Sequence, residues 1–177
     1  RTIQSFDADS RRAEAEADQE PHEHAPFLWS DLNSERAKHV REGQIMARFW
    51  AGKGPAKVAS GLIHDWIAAA FIPESTIQEI FAVIQDYDDY KKIYKPEVIE
   101  SKLASRHNND FQIYLRLLKQ KMITVVLDTV HEVHYQLVDR RRWVCRSCTT
   151  RIAEVENAGS RDERVLRPDT GYGFLWR

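Results

Sequence analysis

From Val98 to Glu156 the chain alternates apolar and polar residues with a period of two. Phe111, Ile113, Leu115 and Leu117 alternate with Gln112, Tyr114 and Arg116. Ile123, Val125, Leu127, Thr129, His131, Val133, Tyr135 and Leu137 share one phase of the next stretch. Period two sends successive side chains to opposite faces of a strand, and a helix cannot follow it. Short polar turns separate the runs, His107-Asn108-Asn109-Asp110 and then residues 139–142. Strands are expected at 98–105, 111–117, 123–137 and 143–156, joined as an antiparallel meander.

The preceding residues hold shorter elements. Asn33 or Ser34 is placed to cap a helix over 34–42, with Gly43 as its stop. Strands are expected over 44–50 and 58–72, with a turn at 52–55 and Pro73 ending the second. Ser75 and Gln78 have the spacing of a capping box. Ile77, Ile80, Phe81, Ile84, Tyr87 and Tyr94 then recur at helical spacing up to Lys95-Pro96. Residues 157–171 form an excursion too long for a hairpin loop, either mobile or a functional flap. Another strand is expected at 173–176.

At 177 residues the chain fits one domain, or one small domain and a tail. Residues 1–26 set three arginines against seven carboxylates, a net of −4, which leaves +3 for the remainder. That stretch is expected to be a disordered tail, or a frayed helix around 11–18; an acidic interaction tail is the other reading. The domain then covers 27–177. Hydrophobic residues, 42% of the chain, suffice for one core. A net charge of −1 argues against a nucleic-acid binder. No apolar run reaches the roughly 18 residues of a membrane span. Two cysteines exclude a disulfide-stapled mini-domain. The chain starts at Arg1 without a signal-peptide pattern and stops in Phe174-Leu175-Trp176-Arg177, so it reads as a fragment. A cytoplasmic location is the simpler expectation, with a removed signal peptide left open.

Register can be estimated from the turn. A tight turn centred between Arg140 and Arg141 sets Leu137 against Val144, Tyr135 against Arg146, Val133 against Cys148 and His131 against Thr150. Directly paired residues share a face. One face then carries Val125, Leu127, Val133, Tyr135, Val144, Cys148 and Ile152, with His131, Arg146 and Thr150 among them. Cys145, Ser147, Thr149 and Arg151 take the other face. An apolar wall bearing a few polar groups suits a small-molecule pocket.

The stretches Gly61-Leu62-Ile63-His64-Asp65-Trp66-Ile67, Gln85-Asp86-Tyr87-Asp88-Asp89-Tyr90, Ile93-Tyr94-Lys95-Pro96-Glu97-Val98, Ile123-Thr124-Val125-Val126-Leu127, Thr150-Arg151-Ile152-Ala153-Glu154-Val155-Glu156-Asn157 and Gly173-Phe174-Leu175-Trp176-Arg177 carry a resemblance. With the order strand, helix, long meander, they make the chain similar to an uncharacterised bacterial branch of the START-like superfamily, which includes polyketide cyclase/dehydrase proteins. The resemblance covers residues 27–177. It implies an α+β helix-grip fold, a curved antiparallel sheet with short helices on its concave side and an apolar ligand between sheet and helices. The family's long C-terminal helix is missing here, which fits a truncated chain. Its motifs bear on fold more than on function.

Several patterns suggest chemistry and are weighed against plainer readings. Cys145-Arg146-Ser147-Cys148 is a C-x-x-C, but three residues along a strand its thiols point to opposite faces. His131-Glu132-Val133-His134 lacks zincin spacing and likewise splits across the strand. Gly52-Lys53-Gly54-Pro55 lacks the Gly and Ser/Thr of a phosphate loop. Arg140-Arg141-Arg142, with Lys119 and Lys121, makes basic turns, either solvated or suited to peripheral contact with an anionic membrane. Arg146 is read either as half of an ion pair with Glu154 or Asp86, or as the anchor of an anionic ligand group. Tyr87 and Tyr135 either pack or offer hydroxyls, and His131 is a core residue or a proton relay.

The expected function is binding of a hydrophobic small molecule, lipid, isoprenoid or polyketide-like. The residues assigned to it are Tyr87, Leu115, Val125, Leu127, His131, Val133, Tyr135, Val144, Arg146, Cys148 and Thr150. No cofactor or metal is implied. A cyclase-type enzyme and an interaction module completed by a partner chain are the alternatives.

Overall fold

A computed structural model describes residues 2–17, 26–50, 54–58, 61–120, 124–166 and 175–176. The chain divides into two units, Arg1–Ser75 and Thr76–Arg177.

In the first unit a helix, α1, runs over Thr2–Ala17, longer than the one expected around 11–18. Arg12 pairs with Asp9 one turn back. Residues 18–25 lie outside the described residues. A 3₁₀ turn, Trp29–Leu32, precedes α2, Ser34–Arg41. Asn33 caps α2, its side-chain oxygen accepting from the Arg36 N–H at 2.8 Å. Gly43 follows the helix at φ +91°, where other residues are strained. The Arg36 guanidinium stacks 3.9 Å from the centroid of Trp29.

Strand β1, Met46–Phe49, lies where expected, but the single strand over 58–72 does not form. Three short strands take that region: β2, Ala56–Val58; β3, Gly61–Ile63; and β4, Trp66–Ala69. β2 pairs with β3, with Val58 opposite Gly61, so the chain reverses between them. The Trp50 N–H then donates to Asp65 O at 3.0 Å, and β4 returns antiparallel to β1. The Phe49 and Trp66 rings, directly paired, stack at 4.0 Å. Gly52 and Lys53 of the expected turn lie outside the described residues.

The second unit opens with α3, Ile77–Ile84. Its capping box is one residue later than Ser75 and Gln78. Thr76 Oγ1 accepts from the Glu79 N–H, and the Glu79 carboxylate accepts from the Thr76 N–H at 2.7 Å. A carboxylate beats an amide here because its charge also meets the positive helix terminus. Ser75 instead donates to Ile72 O.

The helix expected to reach Tyr94 breaks after Ile84. A 3₁₀ turn, Tyr87–Asp89, and one turn of helix, α4, Tyr90–Ile93, replace its second half. The break exchanges helical hydrogen bonds for bonds to the sheet. Asp88 Oδ1 accepts from the Leu103 N–H at 3.0 Å. Ser101 Oγ donates to Asp88 O and accepts from the Lys91 N–H. These contacts tie the turn to an edge strand and cover part of its otherwise open backbone.

The meander forms as expected: β5, Val98–His107; β6, Asp110–Gln120; β7, Thr124–Asp139; and β8, Arg142–Glu156. Ile123 and Lys121 lie outside the described residues. Asn108 turns the β5–β6 hairpin at φ +53°, a conformation asparagine tolerates. With β10, Leu175–Trp176, these strands make a strongly curled antiparallel sheet in the order β10-β8-β7-β6-β5. β9, Arg164–Val165, pairs with the end of β8. Residues 167–174, which include the rest of the expected flap and the start of the last expected strand, lie outside the described residues.

The register of β7 on β8 differs from the estimate along half its length. Asp139 faces Arg142 as a two-residue turn requires, but Leu137 faces Trp143, so Val138 is an extra residue on β7. Tyr135 therefore faces Cys145, Val133 faces Ser147 and His131 faces Thr149. A second irregularity, at Thr150 on β8, cancels the first, and Thr129 faces Ile152 and Leu127 faces Glu154. Val144, Arg146 and Cys148 therefore share a face with Gln136, His134 and Glu132, opposite to the face assigned from sequence.

Candidate functional site

The inner face of the sheet is the one on which the helical segments pack. Its core gathers Tyr87, Phe111, Ile113, Val133 and Tyr135, with Phe81, Ile84, Tyr90, Leu103, Leu115, Trp143 and Cys145 packed against them. Aromatic rings meet edge to face: Phe81 with Trp143 at 5.0 Å, Phe81 with Tyr135 at 5.5 Å, and Phe111 with Tyr135 at 5.5 Å.

Two polar groups of residues are set into this apolar face. In the first, the Tyr87 and Tyr135 hydroxyls share a hydrogen bond of 2.9 Å. Cys145, directly opposite Tyr135 on β8, packs against the same cluster. Burial pushes the pKa of all three groups above their ordinary values, so none ionises near neutral pH.

The second is centred on His131, 3% exposed beside the wholly buried Thr129. Thr129 Oγ1 donates to Leu115 O at 3.0 Å, which spends its only proton. It must then accept from the His131 Nε2–H at 2.9 Å. Nδ1 is thereby the ring's acceptor, and it takes the Thr149 hydroxyl proton at 3.0 Å. Burial holds the His131 pKa down at about 4, which agrees with a neutral ring. Every proton in the group is committed within it.

Seven of the eleven residues assigned from sequence lie on the inner face: Tyr87 from the 3₁₀ turn, with Leu115, Val125, Leu127, His131, Val133 and Tyr135 from β6 and β7. Val125 stands at its far end, opposite Lys119. The other four lie elsewhere. Val144 faces Gln136, Cys148 faces Glu132 and is exposed, and Thr150 occupies the β8 irregularity with its hydroxyl 3.4 Å from Val130 O. Arg146 faces His134 and donates to Gln136 Oε1 at 3.3 Å, rather than pairing with Glu154 or Asp86. Thr149 and Cys145, assigned outward from sequence, complete the two inner polar groups. A bulge at Val138 leaves no apolar-polar signature, so alternation alone could not find them.

The C-x-x-C and His-Glu-Val-His residues divide across the sheet as expected. Cys145 and Cys148 form no disulfide, and His134 meets Asp110 at 2.6 Å on the outside. Among the described residues, no three His, Cys, Asp or Glu side chains gather to hold a metal ion, and no helix is long and apolar enough to cross a membrane.

The outer face carries a charged cluster. Arg116 donates to both oxygens of Asp128, at 2.7 and 3.0 Å, and to both oxygens of Glu163, at 3.2 and 3.0 Å. Tyr114 donates to Asp128 at 2.7 Å. Burial alone would raise the Asp128 pKa, but the bonds from Arg116 and Tyr114 outweigh it and leave it below its ordinary value. A groove of about 570 Å³, lined by residues 124–126 and 154–158, opens at this end of β7 and β8.

No protein-family model matches the chain, and no curated protein or solved structure is significantly similar to it.

Proposed function

We propose that the curled sheet binds a hydrophobic small molecule, of the lipid, isoprenoid or polyketide-like class, on its concave side. The observation that carries the reading is the His131 group: a buried, uncharged imidazole whose hydrogen bonds are met by Thr129 and Thr149 within an apolar face. Such a wall offers apolar contact without the desolvation cost of a buried charge. The Tyr87–Tyr135 pair is neutral in the same way. The sequence resemblance to START-like proteins points in the same direction. Binding strength would come from apolar burial, at roughly 25 cal/mol per Å².

A cyclase mechanism asks Arg146 and His131 to act on one substrate. Their side chains stand on opposite faces of the sheet, and both ring nitrogens of His131 are engaged. Binding without turnover is therefore the better reading.

The test is a fluorescence titration with Nile red, an apolar dye. The folded chain should take it up. Leu115→Gln, on the inner face, should weaken uptake about tenfold, the worth of one buried leucine side chain. Cys148→Ser, on the other face, should leave it unchanged. No uptake by the folded chain, or equal losses in the two variants, overturns the proposal.

A further inference from the structure

The charged cluster on the outer face joins the sheet to the connection that follows β8. Arg116 is fixed on β6 by the two oxygens of Asp128, itself held by Tyr114. Its remaining N–H donors grip Glu163, which lies in the connection between β8 and β9. The Glu163 carboxylate also accepts from the Gly159 N–H at 2.7 Å, so one side chain ties the connection to itself and to the sheet. Both ends of the connection are secured: Glu156 pairs with Arg164, and the Leu166 N–H donates to Glu154 O. Between them, Asn157 at φ +52° and Gly159 at φ +78° make the bends of a compact loop. Asn157 and Ala158 are themselves part of the groove wall, beside Val126 and Val155.

We propose that residues 157–163 are a hinged strap along the groove and that the Glu163–Arg116 pair is its latch. The bonds that cross from strap to sheet at the latch all run through one carboxylate. Releasing it frees the tip while the Arg116–Asp128 pair stays in the sheet, as a lid moves on an unchanged scaffold. The inference is independent of what binds on the inner face.

Glu163→Ala, at a half-buried position, tests this in the full chain by two readouts. Amide hydrogen exchange in 157–163 should rise about tenfold, the scale of a lost charge-assisted bond, while β6 and β7 keep their protection. In a Val126→Cys background, N-ethylmaleimide labelling of that groove position, mapped by peptide mass, should quicken several-fold, with native Cys148 as the reference. If strap exchange is unchanged, there is no latch. If exchange rises equally across β6 and β7, the pair is a support of the sheet. If the strap loosens but labelling of position 126 does not quicken, it does not gate the groove. Each of these results overturns the proposal.

Discussion

The Nε2–H of His131 donates to Thr129 Oγ1 at 2.9 Å, and that bond fixes the placement of every proton around the ring. The folded chain holds this histidine neutral down to about pH 4, below its ordinary 6.5. The unfolded chain takes up the proton first as pH falls, so the stability associated with His131 is whole above pH 6.5. It declines from 6.5 to about 4, by a total on the order of 2–3 kcal/mol. Urea unfolding at pH 7.5, 5 and 4 should show this loss in the native chain and not in His131→Leu, which is less stable at every pH. Parallel pH profiles for the two proteins would show that the ring is not buried and neutral.

The Tyr87–Tyr135 hydroxyl pair is open to a double-mutant cycle. Tyr87→Phe and Tyr135→Phe each strand a buried partner and should cost about 1–2 kcal/mol. The double variant should cost about 1 kcal/mol less than the sum. Additive losses would mean the two hydroxyls do not depend on each other.

At the start of α3, Thr76→Ala should cost about 1 kcal/mol, and Ser75→Ala less than about 0.5. Thermal unfolding of the two variants decides between the caps. The reverse order would restore the Ser75–Gln78 box.

The two thiols should differ in reactivity. Cys148 is exposed, while Cys145 is partly buried opposite Tyr135, with its thiol pushed up in pKa by burial. A thiol reagent at pH 8 should label Cys148 first, by about an order of magnitude. Equal rates would place both on an open face and contradict the Tyr135–Cys145 register.

The periodicity of 111–137 was enough to place Leu115, Leu127, His131, Val133 and Tyr135 on one face, because an alternating strand with one buried side permits only one orientation. Tyr87 was reachable from helical spacing even though the helix breaks before it. Arg146 and Cys148 were misplaced because register was carried outward from the turn, and a single extra residue at Val138 reverses every side chain beyond it. Its compensating partner at Thr150 restores the count, so the far end of the ladder looked correct. The capping box was ambiguous for a different reason: Ser75-x-x-Gln78 and Thr76-x-x-Glu79 overlap, and charge at the helix terminus decided between them. The strap lies within the 157–171 excursion that its length marks out, but the latch has no sequence signal, since the Arg116–Glu163 contact joins residues far apart in the chain.

Ligand binding on the concave side is the central claim, and native mass spectrometry of the folded chain expressed in cells tests it most directly. The account predicts an added mass that is lost on denaturation and recovered as an apolar compound in organic solvent. A clean apo mass that stays unchanged after incubation with fatty acid, isoprenoid and polyketide-like compounds would contradict it.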